Sequence, residues 1–430
     1  MIQLLPLLLT IALFCSCQRQ NPDQSDQIVS MQLIDKNGFT ETISIKDRLA
    51  PYQSVDFLSP QPYQKVLRVY GRNTQGKSQS KISSYHSNGH IWQLLEVVDG
   101  RAHGSYQEWF ANGQLRIHAH VIEGLADINE LAQTSWVFHE KSQVWNEQGN
   151  AIAEIHYDKG LLHGPSTYYH PNEQISQIIP YEQGNIHGVS LSFDEGGHTL
   201  ETIPFVQGQK HGSASGNWSE TVKAYDEVYD KGLLLSGIYY NPQGEKSGEI
   251  IQGNGTKPLF QNGRLASTIE YQKGVQQGLV EEYFPNGELH CSFHIVNEKK
   301  QGEEWEYYLA STKAALKPKL NLHWHEDQIE GQVKTWYENG TLESQREIHQ
   351  QKKQGLSFAW YKNGDIMMVE DYANDLLIKG SYFKKGDKKP ISKIEDGKGL
   401  ATLYTSEGIF WKKIPYEKGK PQLHDESNAR

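Results

Sequence analysis

The sequence has little cysteine and little excess positive charge. Three cysteines among 430 residues, with Cys15 and Cys17 close to the start, are too few for a disulfide framework. Lysine plus arginine number 42 against 52 acidic residues, which gives a net charge of −10 at pH 7. Nucleic-acid recognition needs a clustered basic face. We therefore expect a chain that is stabilised by its fold and has no nucleic-acid partner.

The apolar fraction is also low, at 37%. That value argues against a thick, many-layered core, because ordinary globular domains are roughly 45 to 50% apolar by a similar count. Glycine is abundant, with 39 residues, and aromatic residues make up 11% of the chain. Aromatic runs separated by glycine-bearing turns are typical of short β-strands.

The longest apolar run lies at the amino terminus, over residues 4–14. It is about eleven residues long, whereas a spanning helix needs roughly 20, and it suits the apolar part of a secretory signal. Ser16 and Cys17 follow it and resemble the cleavage site of bacterial lipoproteins, in which the cysteine becomes the acylated first residue. The sequence therefore predicts a signal peptide over 1–16, lipidation at Cys17 and a flexible tether over 17–30. A plain cleaved signal and an uncleaved anchor remain as alternatives.

A period of 24 residues organises most of the remaining sequence. The pairs Asn88-Gly89 and Asn112-Gly113 are spaced by this period, and so are His163-Gly164 and His187-Gly188. Repetition at a fixed period of 20 to 50 residues indicates an array of identical small units. One unit reads approximately Y-x-x-G-x-x-H-G-x-x-x-x-Y-x-N-G-x-L.

Each unit contains two short aromatic or aliphatic runs joined by Asn-Gly or a similar pair. Asn-Gly supplies the two positive φ values of a type I′ turn, so we expect one β-hairpin per unit with that turn at Asn-Gly. Asn172-Glu173 lacks the glycine, and its turn is expected to be the most strained of the set. The predicted fold class is all-β, an elongated antiparallel meander of about 24-residue β-hairpin repeats.

The quoted motif resembles the MORN repeat, in the bacterial variant found in proteins described as antitoxin-like. The resemblance covers most of residues 65–420. It implies a sheet of hairpins that contacts proteins or membranes without catalysis.

The repeats also suggest a domain layout. We expect a capping segment over 31–64, a first half of the array over 65–252, a second half over 253–420 and a disordered tail over 421–430. Extra residues interrupt the period near 129–141, 244–261 and 310–318. Because irregular loops on a rigid scaffold often carry function, these insertions are where an active site would lie.

One segment matches a phosphate-binding loop by letter, Gly71 to Ser78, which reads GRNTQGKS. That loop requires a helix to begin at its last two residues. The residues after Ser78 are strand-like and lead into the next repeat. We interpret the match as a degenerate repeat and expect no nucleotide.

Histidines recur before the repeat glycine, and a chelating pair occurs elsewhere. Units lie about 9.6 Å apart, too far for one metal ion to join neighbouring histidines, so each ring is expected to bond a turn carbonyl. His323 and His325 share one strand face but supply at most half of a closed site. We therefore predict no metal and no other cofactor. The histidines in the repeat slot are His103, His163, His187 and His211.

Catalytic signatures are not apparent in the sequence. It contains no G-x-S-x-G or H-E-x-x-H motif, and carboxylate pairs such as Glu303-Glu304 are predicted to be solvated strand positions. Aromatic residues alternate between the two faces of each strand. Either they hold the hairpins together or one row faces outwards to bind a glycan or an extended peptide. The candidate binding residues are Trp109, Trp145, Trp336 and Trp360.

Together these patterns predict a non-catalytic lipoprotein of a bacterial cell envelope, on the outer membrane or the periplasmic face. It would be held to the membrane through Cys17 and would present the repeat surface to an unidentified protein, or to a membrane or glycan. An antitoxin or immunity-type binding protein is one alternative. An exported hydrolase with a site in the inserted loops is the other.

Overall fold

The computed structural model describes residues 27–309 and 316–422. The predicted signal peptide, Cys17, most of the predicted tether and nearly all of the predicted tail lie outside these residues. The chain divides into two compact units. Among the described residues, the first contains 27–188 and Phe193–Gly197, and the second contains Val189–Ser192, 198–309 and 316–422. The sequence-predicted division at 252/253 lies inside the second unit, in a turn whose flanking residues Ile251 and Asn254 are paired.

The first unit is an antiparallel meander with two short α-helices. The helices are α1 (Lys46–Leu49), which a 3₁₀ turn (Ala50–Tyr52) follows, and α2 (Glu130–Gln133). The strands pair with their neighbours, beginning with β2 against β1 and β1 against β3. They are β1 (Ile28–Asp35), β2 (Thr40–Ile43), β3 (Tyr63–Arg72), β4 (Ser78–Tyr85), β5 (Ile91–Val98), β6 (Arg101–Trp109), β7 (Leu115–Glu123), β8 (Val137–Trp145), β9 (Ala151–Asp158), β10 (Leu161–Leu162), β11 (Gly164–Tyr169), β12 (Ile175–Glu182) and β13 (Asn185–Ile186).

The division between the units runs through β14 (Gly188–Phe193). In the second unit, neighbouring strands again pair antiparallel. These strands are β15 (Thr199–Val206), β16 (Gln209–Lys210), β17 (Gly212–Asn217), β18 (Lys223–Asp230), β19 (Leu233–Tyr240), β20 (Lys246–Ile251), β21 (Asn254–Gln261), β22 (Arg264–Gln272), β23 (Val275–Tyr283), β24 (Leu289–Val296), β25 (Lys299–Lys300), β26 (Gly302–Tyr308), β27 (Lys317–His325), β28 (Gln328–Ile329), β29 (Gly331–Trp336), β30 (Leu342–His349), β31 (Lys352–Lys353), β32 (Gly355–Trp360), β33 (Ile366–Ala373), β34 (Leu376–Tyr382), β35 (Ser392–Glu395), β36 (Lys398–Tyr404), β37 (Phe410–Glu417) and β38 (Lys420–Pro421).

The prediction of an all-β antiparallel meander of hairpin repeats is confirmed. In the amino-terminal segment, β1 and β2 form a hairpin. β1 begins at Ile28, three residues before the predicted start of the cap at 31.

The type of turn at Asn-Gly was predicted wrongly. In the Asn339-Gly340 turn, Gly340 N–H donates to the Tyr337 carbonyl at 2.8 Å, and only Gly340 has a positive φ, of 87°. This is a type I turn followed by a glycine bulge, the usual three-residue hairpin loop. Asn339 has a different role, because its side chain bonds the backbone. Its Oδ1 accepts from Thr341 N at 3.0 Å, and its Nδ2 donates to Lys362 O in the next repeat at 2.8 Å.

Type I′ turns do occur, but at the opposite end of the hairpins. Lys159-Gly160 and Lys231-Gly232 each have two positive φ values, of 47° and 86° and of 48° and 85°. The second residue of each turn donates its N–H to the preceding repeat, as Gly232 does to Lys210 O at 2.8 Å. Neighbouring hairpins are therefore hydrogen-bonded to each other at both of their ends.

The His-Gly step is a bulge after the type I′ turn. Gly164 has φ of +90° and lies opposite Tyr181 on the neighbouring strand, and Gly331 has φ of +90° opposite Ile348. Positive φ at this step favours glycine. A Cβ at Gly164 would contact the His156 side chain at 3.5 Å, and one at Gly331 would lie 4.0 Å from His323 Cβ, so backbone conformation rather than a steric clash selects glycine. The backbone conformation therefore accounts for the glycine of the motif but not for the histidine before it.

The three insertions fold in different ways. The region around 129–141 forms α2, whose first turn is capped by Asn129 Oδ1 accepting from Ala132 N at 2.8 Å. The region around 244–261 is regular, since β20 and β21 form an additional hairpin. Residues 310–315 lie outside the described part of the chain.

The segment that matches a phosphate loop is a hairpin turn. Asn73 Oδ1 accepts from Gln75 N and Lys77 N, both at 3.0 Å, and Gly76 has φ of 77°. Ser78 begins β4, whereas a phosphate loop needs a helix there. This geometry matches the reading of the segment as a degenerate repeat.

Small apolar clusters hold each unit together. In the first unit, one cluster includes Met31, Val66 and Ile91, and a second includes Leu95 and Val121. In the second unit, three further clusters lie along one face of the meander. Burial is thus distributed along the repeats, as expected for a repeat protein.

Candidate interaction surface

The four tryptophans predicted as binding residues occupy one equivalent position. Trp109, Trp145, Trp336 and Trp360 are the last residues of β6, β8, β29 and β32. At each of them the strand pairing shifts by one residue just before the turn. The sequence period therefore identified a real structural slot at the strand end.

The aromatic pairs divide between the two faces of the sheet. In Trp336-Tyr337, Tyr337 is buried and its hydroxyl donates to Trp360 O at 2.8 Å, while Trp336 is only half-buried. In the next repeat, buried Tyr361 donates to Phe383 O at 2.7 Å. In these two repeats the second aromatic residue joins neighbouring repeats, and Trp336 and Trp360 before it are only half-buried, on the more open face.

Two stacked aromatic pairs lie on that open face in the second unit. The rings of Trp305 and Trp336 lie 5.8 Å apart at 27°, and those of Phe358 and Trp360 lie 5.7 Å apart at 21°. All four side chains are half-buried. We call these four residues the aromatic band.

Strand register places the band in a regular row. Trp305 lies opposite Asn321, Asn321 opposite Lys334, and Lys334 opposite Gln345, which in turn faces Phe358. Trp305, Lys334 and Phe358 therefore lie in one row along the direction of the repeats, and Lys334 shares β29 with Trp336. Trp305 Nε1 donates to Glu303 Oε2 at 3.0 Å, which orients its ring.

The other two predicted tryptophans are placed differently. Trp109, in the first unit, packs against the cluster that contains Met31 and Ile91, and its carbonyl lies 2.9 Å from His86 Nε2. Trp145 is half-buried at the end of β8. Trp336 and Trp360 therefore each stack on an aromatic residue that the sequence analysis did not single out, whereas Trp109 and Trp145 lie outside the aromatic band.

Sequence reasoning missed Trp305 and Phe358. Trp305 lies two residues before Tyr307, where the pairing of β26 shifts, and Phe358 lies two residues before Trp360. Residues two apart on a strand share a face. This i, i+2 spacing was the signal that could have found them.

Buried carboxylates form a second unforeseen feature. Glu227 accepts from Tyr229 and Tyr239 hydroxyls at 2.9 and 2.8 Å, and Lys257 Nζ lies at 2.5 Å. Burial raises the pKa of Tyr239, and the Glu227 charge adds to the effect, so the hydroxyl stays protonated and donates. The cluster therefore binds three strands together.

The same arrangement recurs around Glu370, which accepts from Tyr372 and Tyr382 at 2.9 and 2.7 Å. The spacing Glu-x-Tyr, followed by a tyrosine twelve residues after the glutamate, is common to both copies. That spacing is a sequence signal of a longer internal duplication.

Glu304 was predicted to be solvated but is buried. It accepts from Lys300 Nζ at 2.6 Å and from Trp324 Nε1 at 2.7 Å. The pattern of alternation could not show this, because burial comes from side chains on neighbouring strands. Burial also raises the pKa of the nearby Cys291 thiol to about 12, with the Glu304 charge contributing. This thiol is therefore protonated at neutral pH and is a poor nucleophile.

The histidine slot mainly supports turns, more often by accepting from a turn N–H than by contacting a backbone carbonyl as expected. His211 Nδ1 accepts from Lys231 N at 3.4 Å, in the next type I′ turn. Gln301, Glu330 and Gln354 accept in the same way from turn N–H groups at 3.0, 2.9 and 3.0 Å. The remaining histidines vary: His103 Nδ1 lies 2.8 Å from Ile122 O, and His187 pairs with Glu182 at 3.5 Å. The slot usually needs an acceptor, which explains why Gln and Glu can replace His.

No group of three or more His, Cys, Asp or Glu in residues 27–309 and 316–422 could hold a metal ion. His323 and His325 are exposed on β27. No helix in the same described part is long and apolar enough to cross a membrane.

Comparison with known proteins supports the repeat assignment. Residues 102–122, 162–183 and 329–349 match the MORN repeat variant. Each matched segment contains a strand, the three-residue turn and the strand that follows. The chain therefore carries repeats of the MORN variant type. No curated protein matches this chain.

One similar solved structure is titled "Crystal Structure of TcdB2-TccC3-Cdc42". The match covers 86% of this chain and 27% of that chain, with 9% sequence identity and a TM-score of 0.12. The chain thus spans about a quarter of the length of that relative. With so low a TM-score, the match carries no conclusion about this chain.

Proposed function

We propose that the chain is an exported, lipid-anchored, non-catalytic protein of a bacterial envelope that binds a protein partner through the aromatic band. The observation that carries this proposal is the pair of stacks, Trp305 with Trp336 and Phe358 with Trp360, on the open face of the sheet. Tryptophan and other aromatic side chains dominate the energetics of protein interfaces.

The geometry favours a preorganised contact surface. The stacked rings are held by strands whose turns are hydrogen-bonded to neighbouring repeats, as Asn339 is to Lys362 O. A rigid platform loses little conformational entropy on binding. Lys334 lies in the same row as Trp305 and Phe358 and offers a positive charge that can select an acidic group on the partner.

The membrane part of the proposal rests on the amino-terminal sequence. The apolar run over 4–14, followed by Ser16 and Cys17, resembles a lipoprotein signal. We expect Cys17 to be acylated and residues after it to connect the anchor to β1. A fatty-acid analogue supplied to cells should label the wild-type chain and leave Cys17→Ala unlabelled. Equal labelling of the two chains would contradict the anchor.

Capture of the binding partner from cells with the wild-type chain provides the test of the aromatic band. The double variant Trp336→Ala/Trp360→Ala should bind the captured partner at least roughly 30-fold more weakly, because truncating interface hot spots costs about 2 kcal/mol or more. Trp411→Ala is the matched control, since Trp411 is 61% exposed and lies outside the band. A double variant that binds as well as the control would show that another surface is used. A partner that proves toxic when released would identify the chain as an immunity protein.

A further inference from the structure

A row of polar side chains crosses neighbouring strands of the first unit, away from the aromatic band. Lys65 lies opposite Ser84, Ser84 opposite Gln93, and Gln93 opposite Glu108. Ser84, Gln93 and Glu108 are buried. A row of buried polar residues is unusual for a sheet face that could be filled with apolar side chains.

These side chains form one hydrogen-bonded chain. Ser84 Oγ donates to Gln93 Oε1 at 3.0 Å, and Gln93 Nε2 donates to the Tyr106 hydroxyl at 3.1 Å. That hydroxyl donates to Glu108 Oε2 at 2.8 Å, and Arg116 Nη1 donates to Glu108 Oε1 at 2.7 Å. The row is therefore rigid, with defined donors and acceptors.

The inserted segment before β8 forms a wall beside this row. Asp127 pairs with Lys65 Nζ at 2.5 Å, and Gln133 Nε2 donates to Ile128 O at 3.3 Å. Trp136, at the end of the segment, packs on Tyr106 with ring centroids 4.7 Å apart. The Asp127–Lys65 pair and the Trp136–Tyr106 contact thus fix the wall to the sheet.

Row and wall enclose a cleft of about 710 Å³, which lies within the range of small-ligand sites. Its two basic side chains, Lys65 and Arg116, are already paired with Asp127 and Glu108. Glu130 adds a further carboxylate to the lining. The charges therefore disfavour an anionic ligand. Trp92 lines the cleft and is 41% exposed.

We propose that this cleft binds a short, neutral oligosaccharide. Amide side chains both donate and accept, which suits sugar hydroxyls, and the Trp92 ring offers a flat apolar surface for the face of a sugar ring. A peptide is less suited, because each strand from β3 to β7 is already paired on both sides and has no free edge for a peptide strand. The amides that line the cleft are Gln64, Gln93, Asn129 and Gln133.

The experiment measures binding of the full chain to a panel of defined oligosaccharides of two to four rings. The panel contains neutral members, with and without N-acetyl groups, and members that carry carboxylates. Tripeptides form a parallel set. We expect neutral sugars to bind, and Trp92→Ala to weaken binding by about tenfold, equivalent to about 1.4 kcal/mol. Gln133→Ala should weaken binding as well, and Trp411→Ala should not.

Several outcomes would overturn this proposal. They are no binding to any neutral sugar, binding that survives both cleft variants, and a preference for acidic sugars or for tripeptides. Thermal melting of each variant shows whether it is folded. If Gln133→Ala is unfolded, Trp92→Ala alone decides, because its side chain is partly exposed. The test is independent of the aromatic band, so a negative result leaves the proposed function unaffected.

Discussion

At the scale of single residues, Glu173 occupies a backbone position that other turns fill with glycine. Its φ is 65°, whereas the equivalent Gly340 has φ of 87°. A left-handed conformation costs a residue with a side chain roughly 1 to 2 kcal/mol relative to glycine. We expect Glu173→Gly to stabilise the fold by about 1 kcal/mol, measured by urea unfolding.

The converse substitution is the control for this strain. A Cβ at Gly340 meets no atom within 4 Å, so Gly340→Ala tests backbone strain without a steric clash. We expect it to destabilise the fold by about 1 kcal/mol. If both substitutions left stability unchanged, strain at this position would not matter.

The type I′ turns that end in Glu298, Asp327, Gln351 or Asp375 also have positive φ without glycine, so Glu173 is not alone in its strain.

Tyr85 makes the free energy of unfolding depend on pH in the alkaline range. Burial raises its pKa to about 12, and its hydroxyl donates to Phe57 O at 3.0 Å. The unfolded chain has a tyrosine pKa of about 10. Below pH 10 both states are protonated and the full stabilisation is present; between pH 10 and 12 the unfolded state loses its proton first, so stability falls.

We expect this single group to account for about 2 to 3 kcal/mol of the loss between pH 10 and 12. Tyr85→Phe keeps the ring and has no proton to lose. It should be less stable than wild type by about 1 kcal/mol at pH 8 but should lose less stability up to pH 12. Urea unfolding at a series of pH values measures both effects. Parallel curves for the two proteins would contradict the assignment.

At the scale of elements, the slot before the bulge glycine links one repeat to the next turn. Gln354 Oε1 accepts from Asn374 N at 3.0 Å. Gln354→Ala should therefore cost about 1 kcal/mol and increase amide exchange at Asn374. Gln354→His should restore part of the protection, because His211 accepts the same kind of bond in its own repeat. Unchanged exchange at Asn374 in the alanine variant would show that the bond is not significant.

Hairpins and their period could be predicted because alternation and glycine spacing are local properties. The turn type at Asn339-Gly340 could not, because the dipeptide suits either turn and the flanking residues decide between them. In a type I turn with a bulge, Asn339 keeps a negative φ and uses its side chain to bond Lys362 O. The sequence pattern shows that the turn needs a glycine, but it does not show whether the residue before the glycine also adopts the left-handed conformation.

At the scale of the whole molecule, the missed features come from contacts between repeats. Glu227 is buried because Tyr239 and Lys257 reach it from later strands. Trp305 stacks on Trp336, which lies 31 residues later in the chain. Such contacts depend on strand register, which the sequence indicated only within a hairpin. The candidate surface was therefore predicted in part: the strand-end tryptophans were found, and their stacking partners were not.

The central claim is that the open face carrying the aromatic band is the contact surface. Lys334 and Arg346 lie on the same hairpin but on opposite faces, because Arg346 is opposite Val333, the neighbour of Lys334. A photo-crosslinking amino acid placed at position 334 or at position 346 in cells therefore compares the two faces directly. The account predicts a discrete protein adduct from position 334 that disappears in the Trp336→Ala/Trp360→Ala background, and none from 346. An adduct from 346 alone, or no adduct from 334, would contradict it.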